Sequence, residues 1–262
     1  MMQRIITAVI AGALFLTIVL IGGLPNIIFI YLIASIAIYE ILKMKKIKLL
    51  TFPGIIALIL LWIVLLPNKY IYILNEYNLT KFEIILPAIF LFLTYTVIKK
   101  NKFTFDDVGF VLLSSLYVGF GFYYFIELRE IALEYIFYAL IVIWSTDTGA
   151  YFVGKSLGRR KLWPEISPNK TVEGSIGGII VALVISLVFF LIVSIKISLV
   201  AIIVFTILLS IFGQIGDLVE SALKRHFGVK DSGQLLPGHG GILDRFDSLL
   251  FVLPILYFLL LI

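Results

Sequence analysis

The sequence has no cysteine, so disulfides and thiolate metal sites are excluded. Charge is also scarce: only 14% of the 262 residues are Asp, Glu, Lys or Arg, against 61% hydrophobic. A soluble domain of this length carries about 25% charged and roughly 45–50% apolar residues. No stretch reads as a soluble domain, a low-complexity tract or an internal repeat. Lipid must therefore solvate much of the apolar surface. The apolar runs approach the roughly 20 residues that a helix needs to cross a bilayer, not the roughly 10 alternating residues of a barrel strand. The first run has no small-residue cleavage site, and a second run follows it directly, which argues against a signal peptide.

Nine membrane segments are expected, near 4–23, 25–42, 49–66, 82–98, 107–126, 131–148, 174–194, 198–216 and 246–262. The fold class expected is all-α, a polytopic integral membrane protein. Pro25, Pro53, Pro67 and Pro87 are expected at segment ends or first turns, where a missing N–H costs little.

Basic residues set the orientation. With the N-terminus inside, Arg4, Lys43 to Lys48, Lys99 to Lys102, Lys155 to Lys161, Lys170, Lys224, Arg225, Lys230 and Arg245 all fall on the inner side. Only Lys69, Lys81, Arg129 and Lys196 fall outside. The formal net charge of +5 therefore reflects topology, and no nucleic-acid partner is expected. Residues 1–130 read as membrane helices forming a scaffold or dimer surface. Residues 131–262 read as a catalytic membrane region with two long inner stretches, 149–173 and 217–245.

The second stretch concentrates chemistry. If it is helical, Asp217, Ser221, Lys224 and Arg225 share one face. Pro237-Gly238-His239-Gly240-Gly241 cannot continue a regular helix, and its backbone can offer N–H groups to phosphate oxygens. Asp244 and Asp247 follow. Asp217 with Asp244 makes an oxygen-ligand pair suited to Mg²⁺. Taken singly, a Lys or Arg here reads as an interfacial anchor, Glu220 as a solvated or ion-paired residue and His239 as structural. As a cluster beside apolar spans they read as a functional site.

The first stretch adds Asp147, a polar intruder in an apolar segment. Ser167-Pro168-Asn169-Lys170-Thr171-Val172-Glu173-Gly174 reads as a loop entering a helix, where Lys170 and free N–H groups could hold an anion. The alternative is an ordinary helix start capped by Thr171 or Ser167. Gly149 to Ser156 satisfies the literal phosphate-loop spacing, but that motif works only between a strand and a helix of a soluble α/β unit, and it is rejected here. Asn78-Leu79-Thr80 is a glycosylation triplet of a kind frequent by chance.

From Ser221 through Lys224-Arg225, Lys230-Asp231, Gly233, Leu236-Pro237, His239-Gly240-Gly241-Ile242 and Asp244-Arg245-Phe246-Asp247, the sequence resembles the phosphatidate cytidylyltransferase (CDP-diacylglycerol synthase) family at every specified position of its pattern. Asp147 to Tyr151 and Ser167 to Gly174 resemble it too, although the family often has Lys-Lys where Asn169-Lys170 stands. The resemblance is strong over about 140–250. It implies transfer of a cytidylyl group from CTP to phosphatidic acid, releasing pyrophosphate, in an enzyme of the bacterial inner membrane type. It also implies Mg²⁺, a second and monovalent cation such as K⁺, and a homodimer. The residues expected to act catalytically are Asp217, Asp244, Lys224, Arg225, His239 and Asp147. Lys170, Asn169, Ser221, Lys230, Asp231, Gly240, Gly241 and Arg245 are expected to bind substrate, and Asp217, Asp244 and Asp247 to bind metal. Two rivals remain: a CTP-dependent lipid or polyprenol kinase, which would release CDP, and a transporter. The transporter reading is disfavoured because the polar residues gather at one face rather than at mid-membrane.

Overall fold

The computed structural model describes residues 2–238 and 240–261. Met1, His239 and Ile262 lie outside the described residues, as do the side chains of Gln3, Arg4, Ile5, Ile73 and Asn75. The helices, in chain order, are α1 (Met2–Ile21), α2 (Gly23–Met44), α3 (Phe52–Val64), α4 (Tyr72–Asn75), α5 (Lys81–Ile98), α6 (Phe105–Ile131), α7 (Leu133–Leu157), α8 (Val172–Ile192), α9 (Leu199–His226) and α10 (Leu243–Leu261). A 3₁₀ turn (Asn68–Tyr70) precedes α4, and strands β1 (Lys161–Trp163) and β2 (Ser167–Thr171) lie between α7 and α8.

Every apolar run read from the sequence is a helix. Six of them (α2, α5, α6, α7, α8 and α9) are long and apolar enough to cross a membrane. The apolar stretches of α1 and α3 are shorter, and α10 opens with Asp244, Arg245 and Asp247. The chain is an all-α, polytopic membrane protein. Helices dominate because a backbone in lipid must satisfy its own hydrogen bonds.

The structure divides into two units. The first comprises Met1–Glu127 together with Ser232–Ile242. Its helices start on recognisable signals. Pro53 sits in the first turn of α3, where its missing N–H is harmless. Thr80 and Glu83 form a capping box at α5. Pro87 falls inside α5, not in its first turn as the sequence reading expects. Leu60, Val64 and Ala88 are buried together, with Ile56, Ile85, Leu112 and Leu116 packed against them. Lys45 pairs with Asp107 at 2.7 Å.

The second unit comprises Leu128–Asp231 and Leu243–Ile262. Here glycines let helices approach closely, as lipid-embedded interfaces require. A Cβ on Gly178 would stand 2.7 Å from the Thr146 carbonyl oxygen, and one on Gly149 would stand 2.7 Å from Val181. Tyr138 Oη lies 2.8 Å from Thr206 Oγ1, and Thr146 Oγ1 lies 2.8 Å from Ser210 Oγ, joining α7 to α9. Gly213 faces Val252 on α10 and Ile143 on α7. Gly178→Ala should therefore lower stability by about 1–3 kcal/mol, the usual cost of overpacking, because the obstacle is backbone and cannot swing away. Thermal or denaturant unfolding of the detergent-solubilised protein measures this, and an unchanged midpoint would refute the close α7–α8 contact.

Two stretches differ from the sequence reading. α7 continues through Leu157 and α9 through His226, so the first part of each long inner stretch is helix, which for 217–226 is the condition on which the shared face rested. Polar residues at helical spacing sustain these ends even though the apolar run has stopped. Gly149 to Ser156, the rejected phosphate-loop match, is helical throughout.

Candidate active site

The second unit holds a cavity of about 470 Å³, lined among others by Asp147, Lys155, Asn169, Lys170, Gln214 and Asp217. Each element contributes for a local reason. Asp147 lies mid-helix on α7, one turn before Tyr151 and two before Lys155, so all three line one wall. Lys170 comes from the hairpin, whose antiparallel register pairs Lys161 with Thr171 and Trp163 with Ser167. Two contacts fix that hairpin. The Glu173 carboxylate accepts from the Arg159 and Arg160 N–H groups at 3.0 and 3.1 Å. Thr171 caps α8 by accepting from the Gly174 N–H at 3.1 Å. The expected loop before α8 is thus a short strand ending in a capped helix.

Lys170 Nζ donates to Asp217 Oδ2 on α9, and Ser221 Oγ, one turn on, reaches Asp217 Oδ1 at 3.3 Å. Asp147, Asp217 and Asp247 lie near enough to repel one another electrostatically. A second polar group stands beside them. Lys224 Nζ is 2.7 Å from Asp244 Oδ1 and also pairs with Glu220, one turn back on α9. The three side chains are largely withdrawn from solvent, at 13%, 7% and 1% exposure for Lys224, Asp244 and Glu220. Two carboxylates thus share one ammonium.

The expected face of α9 exists, since Asp217, Ser221, Lys224 and Arg225 all lie within one helix. Its end is set by Gly228, whose φ of +66° suits glycine. The Val229 N–H then bonds back to the Lys224 carbonyl at 2.9 Å, and Arg225 Nη1 donates to the Val229 carbonyl at 3.4 Å. Asn169, Lys230, Asp231 and Arg245 are exposed. Asp244 and Asp217 occur in different ion pairs, with Lys224 and Lys170 respectively. Among the described residues, no three His, Cys, Asp or Glu side chains converge as a metal-binding group.

The glycine-rich segment belongs to the first unit. The Leu236 N–H donates to the Gly240 carbonyl at 3.0 Å, closing a tight turn. Gly238 and Gly240 have φ of +79° and +85°, which other residues rarely adopt. His239 lies outside the described residues. The ends of the segment are held by Glu40 of α2. Glu40 Oε2 accepts from Ser232 Oγ and Oε1 accepts from the Ile242 N–H, both at 3.0 Å. The sequence reading misses Glu40 and Gln214. Glu40 could have been found by the argument that singles out Asp147, as an acidic residue in an apolar run. Glu220, set aside as solvated or ion-paired, is buried and paired with Lys224.

The chain matches the cytidylyltransferase family over residues 2–262. It belongs to that family. It is 58% identical over 263 residues to a phosphatidate cytidylyltransferase of Bacillus subtilis (strain 168), covering 99% of this chain and 97% of that protein. It is 50% identical to the phosphatidate cytidylyltransferase of Staphylococcus haemolyticus (strain JCSC1435), covering 99% of each chain. It is 48% identical to that of Staphylococcus aureus (strain COL), again over 99% of each. The family match of this cytidylyltransferase includes the first 130 residues, where the sequence alone shows only apolar spans.

Proposed function

We infer that this cytidylyltransferase moves a cytidylyl group from CTP to phosphatidate, giving CDP-diacylglycerol and pyrophosphate. The observation that carries this is 58% identity to a phosphatidate cytidylyltransferase along nearly the whole of both chains. The site fits the chemistry. An anionic phosphate oxygen of phosphatidate attacks the α-phosphorus of CTP, and the bond to the bridging oxygen of the leaving pyrophosphate breaks. No strong base is needed, because the attacking oxygen is already ionised. The barrier lies in bringing two polyanions together and in stabilising the leaving charge, so positioning and electrostatics dominate.

Lys170, backed by Asp217, presents a fixed positive charge at the cavity. Asn169, Lys155 and Gln214 offer further donors along its walls. Lys224, Arg225, Lys230 and Arg245 supply more positive charge, and Ser221 orients Asp217. His239 and the backbone of Gly240 and Gly241 serve the triphosphate.

Mg²⁺ fits the donor chemistry, since it is usually held by only one or two carboxylates together with substrate phosphates and so needs no group of three converging side chains. Asp217 and Asp247 would hold it with Asp147 beside them, and Asp244 joins that set if it exchanges Lys224 for the ion. Bound there, the ion supplies positive charge against the phosphates. A second, monovalent cation such as K⁺, a homodimer, and a site facing the cytoplasm belong to the same reading. The last is supported by the basic residues gathered on one side of the expected topology.

The test supplies purified protein with phosphatidate, Mg²⁺ and CTP labelled at the α-phosphorus. Label is expected in the lipid with an equal yield of pyrophosphate, and EDTA should abolish both. Release of CDP, or no labelled lipid from folded protein, would overturn the reading.

A further inference from the structure

Segment 232–242 carries the glycine-rich turn, yet its described residues have no regular structure beyond the Leu236–Gly240 bridge. A segment with two glycines at positive φ should be mobile unless something fixes its ends. One side chain does so. Glu40 is 2% exposed, and its two oxygens take one donor from each end of the segment, Ser232 Oγ and the Ile242 N–H. Gly233 and Gly241 pack directly on the carboxylate. A Cβ on either would overlap it, and one on Gly241 would also overlap Ser232 Oγ. A buried carboxylate is costly unless hydrogen-bonded, so it selects the closed form of the segment over open ones.

We propose that Glu40 is a positioning residue for cytidylyl transfer. It clamps both ends of segment 232–242 and thereby fixes the glycine-rich turn on which the phosphate-binding role proposed for Gly240 and Gly241 depends. The proposal rests on the cytidylyl-transfer reading above. Glu40 touches no substrate. Its effect passes entirely through the segment and is concentrated in the charge-developing step, so it falls on kcat more than on KM.

The experiment compares full-length wild type, E40A, S232A and the E40A/S232A double variant in detergent. It records kcat, KM for CTP, and hydrogen–deuterium exchange of peptides spanning 232–242 and α7 to α9. In E40A, kcat should fall about 10- to 100-fold, the range expected for hydrogen bonds to a charged acceptor, with KM for CTP changed less than about threefold. Exchange should accelerate in 232–242 and stay unchanged in α7 to α9. S232A alone should give a smaller loss. Adding S232A to E40A should change little further, since its partner is already gone. Wild-type kcat in E40A, or losses that multiply in the double variant, would overturn the clamp. So would unchanged exchange in 232–242. If E40A does not fold, E40Q replaces it. Gln keeps the shape but only one acceptor, and an unaltered kcat and exchange pattern there would equally overturn the proposal. A wild type that transfers no cytidylyl group sinks the reaction reading instead, while the exchange comparison still decides whether Glu40 holds the segment.

Discussion

Asp217→Asn is expected to reduce cytidylyl transfer by about 10³-fold and to leave the protein folded. Removing one preorganised electrostatic group from such a site costs about 10²–10³ in rate, and Asp217 acts in more than one way. It holds Lys170, accepts from Ser221 and contributes to the carboxylate group with Asp147 and Asp247. Asparagine keeps the shape but loses the charge and half the acceptor capacity. Lys170 is then untethered and the cation affinity of the carboxylates falls. Stability should hardly change, because Lys170 and Asp217 are 28% and 31% exposed, and partly exposed pairs contribute about 0–1 kcal/mol. Label transfer from CTP, set beside an unfolding curve, separates the two effects. A loss below about tenfold would remove Asp217 from the catalytic group, and a large drop in unfolding midpoint would make its role structural.

Lys224→Met should behave in the opposite way, as a stability variant first. The ammonium is shared by Glu220 and Asp244, both nearly solvent-free. Removing it leaves two buried carboxylates facing each other without their cation, so that one must take up a proton or the pair must open, and breaking a buried pair in this way costs about 3–5 kcal/mol. Adding Glu220→Gln should recover part of that loss, because only one buried carboxylate is then left without a cation. Unfolding midpoints of the single and double variants test this. If Lys224→Met matches wild type in stability, or if Glu220→Gln worsens it, the shared-ammonium account fails.

Helix positions are legible in the sequence because lipid imposes a simple rule, and each long apolar run is a helix. The one face of α9 bearing Asp217, Ser221, Lys224 and Arg225 follows from spacing alone, as does the failure of Pro237 to Gly241 to form helix. Other features leave weak traces. The β1–β2 hairpin is polar and largely exposed, so it has no alternating apolar pattern, and its register depends on Glu173 and Thr171. The continuation of α7 past Gly149 is hidden because hydropathy falls before helicity does. The pairing of Asp244 with Lys224 is a tertiary contact across 20 residues of sequence, which spacing along one helix does not reveal. Glu40 is visible as a lone acid in an apolar run, but its partners are not, since they lie 192 and 202 residues away.

That separation has a consequence for biosynthesis. Ribosomes deliver a chain from its N-terminus, so α2 is laid down long before Ser232 and Ile242 exist. The two hydrogen bonds that tie the glycine-rich segment to Glu40 can form only when almost the whole polypeptide has been made. The first unit is thus completed among the last, although most of it is synthesised first. A chain truncated before residue 232 keeps α1 to α9 yet can make neither bond.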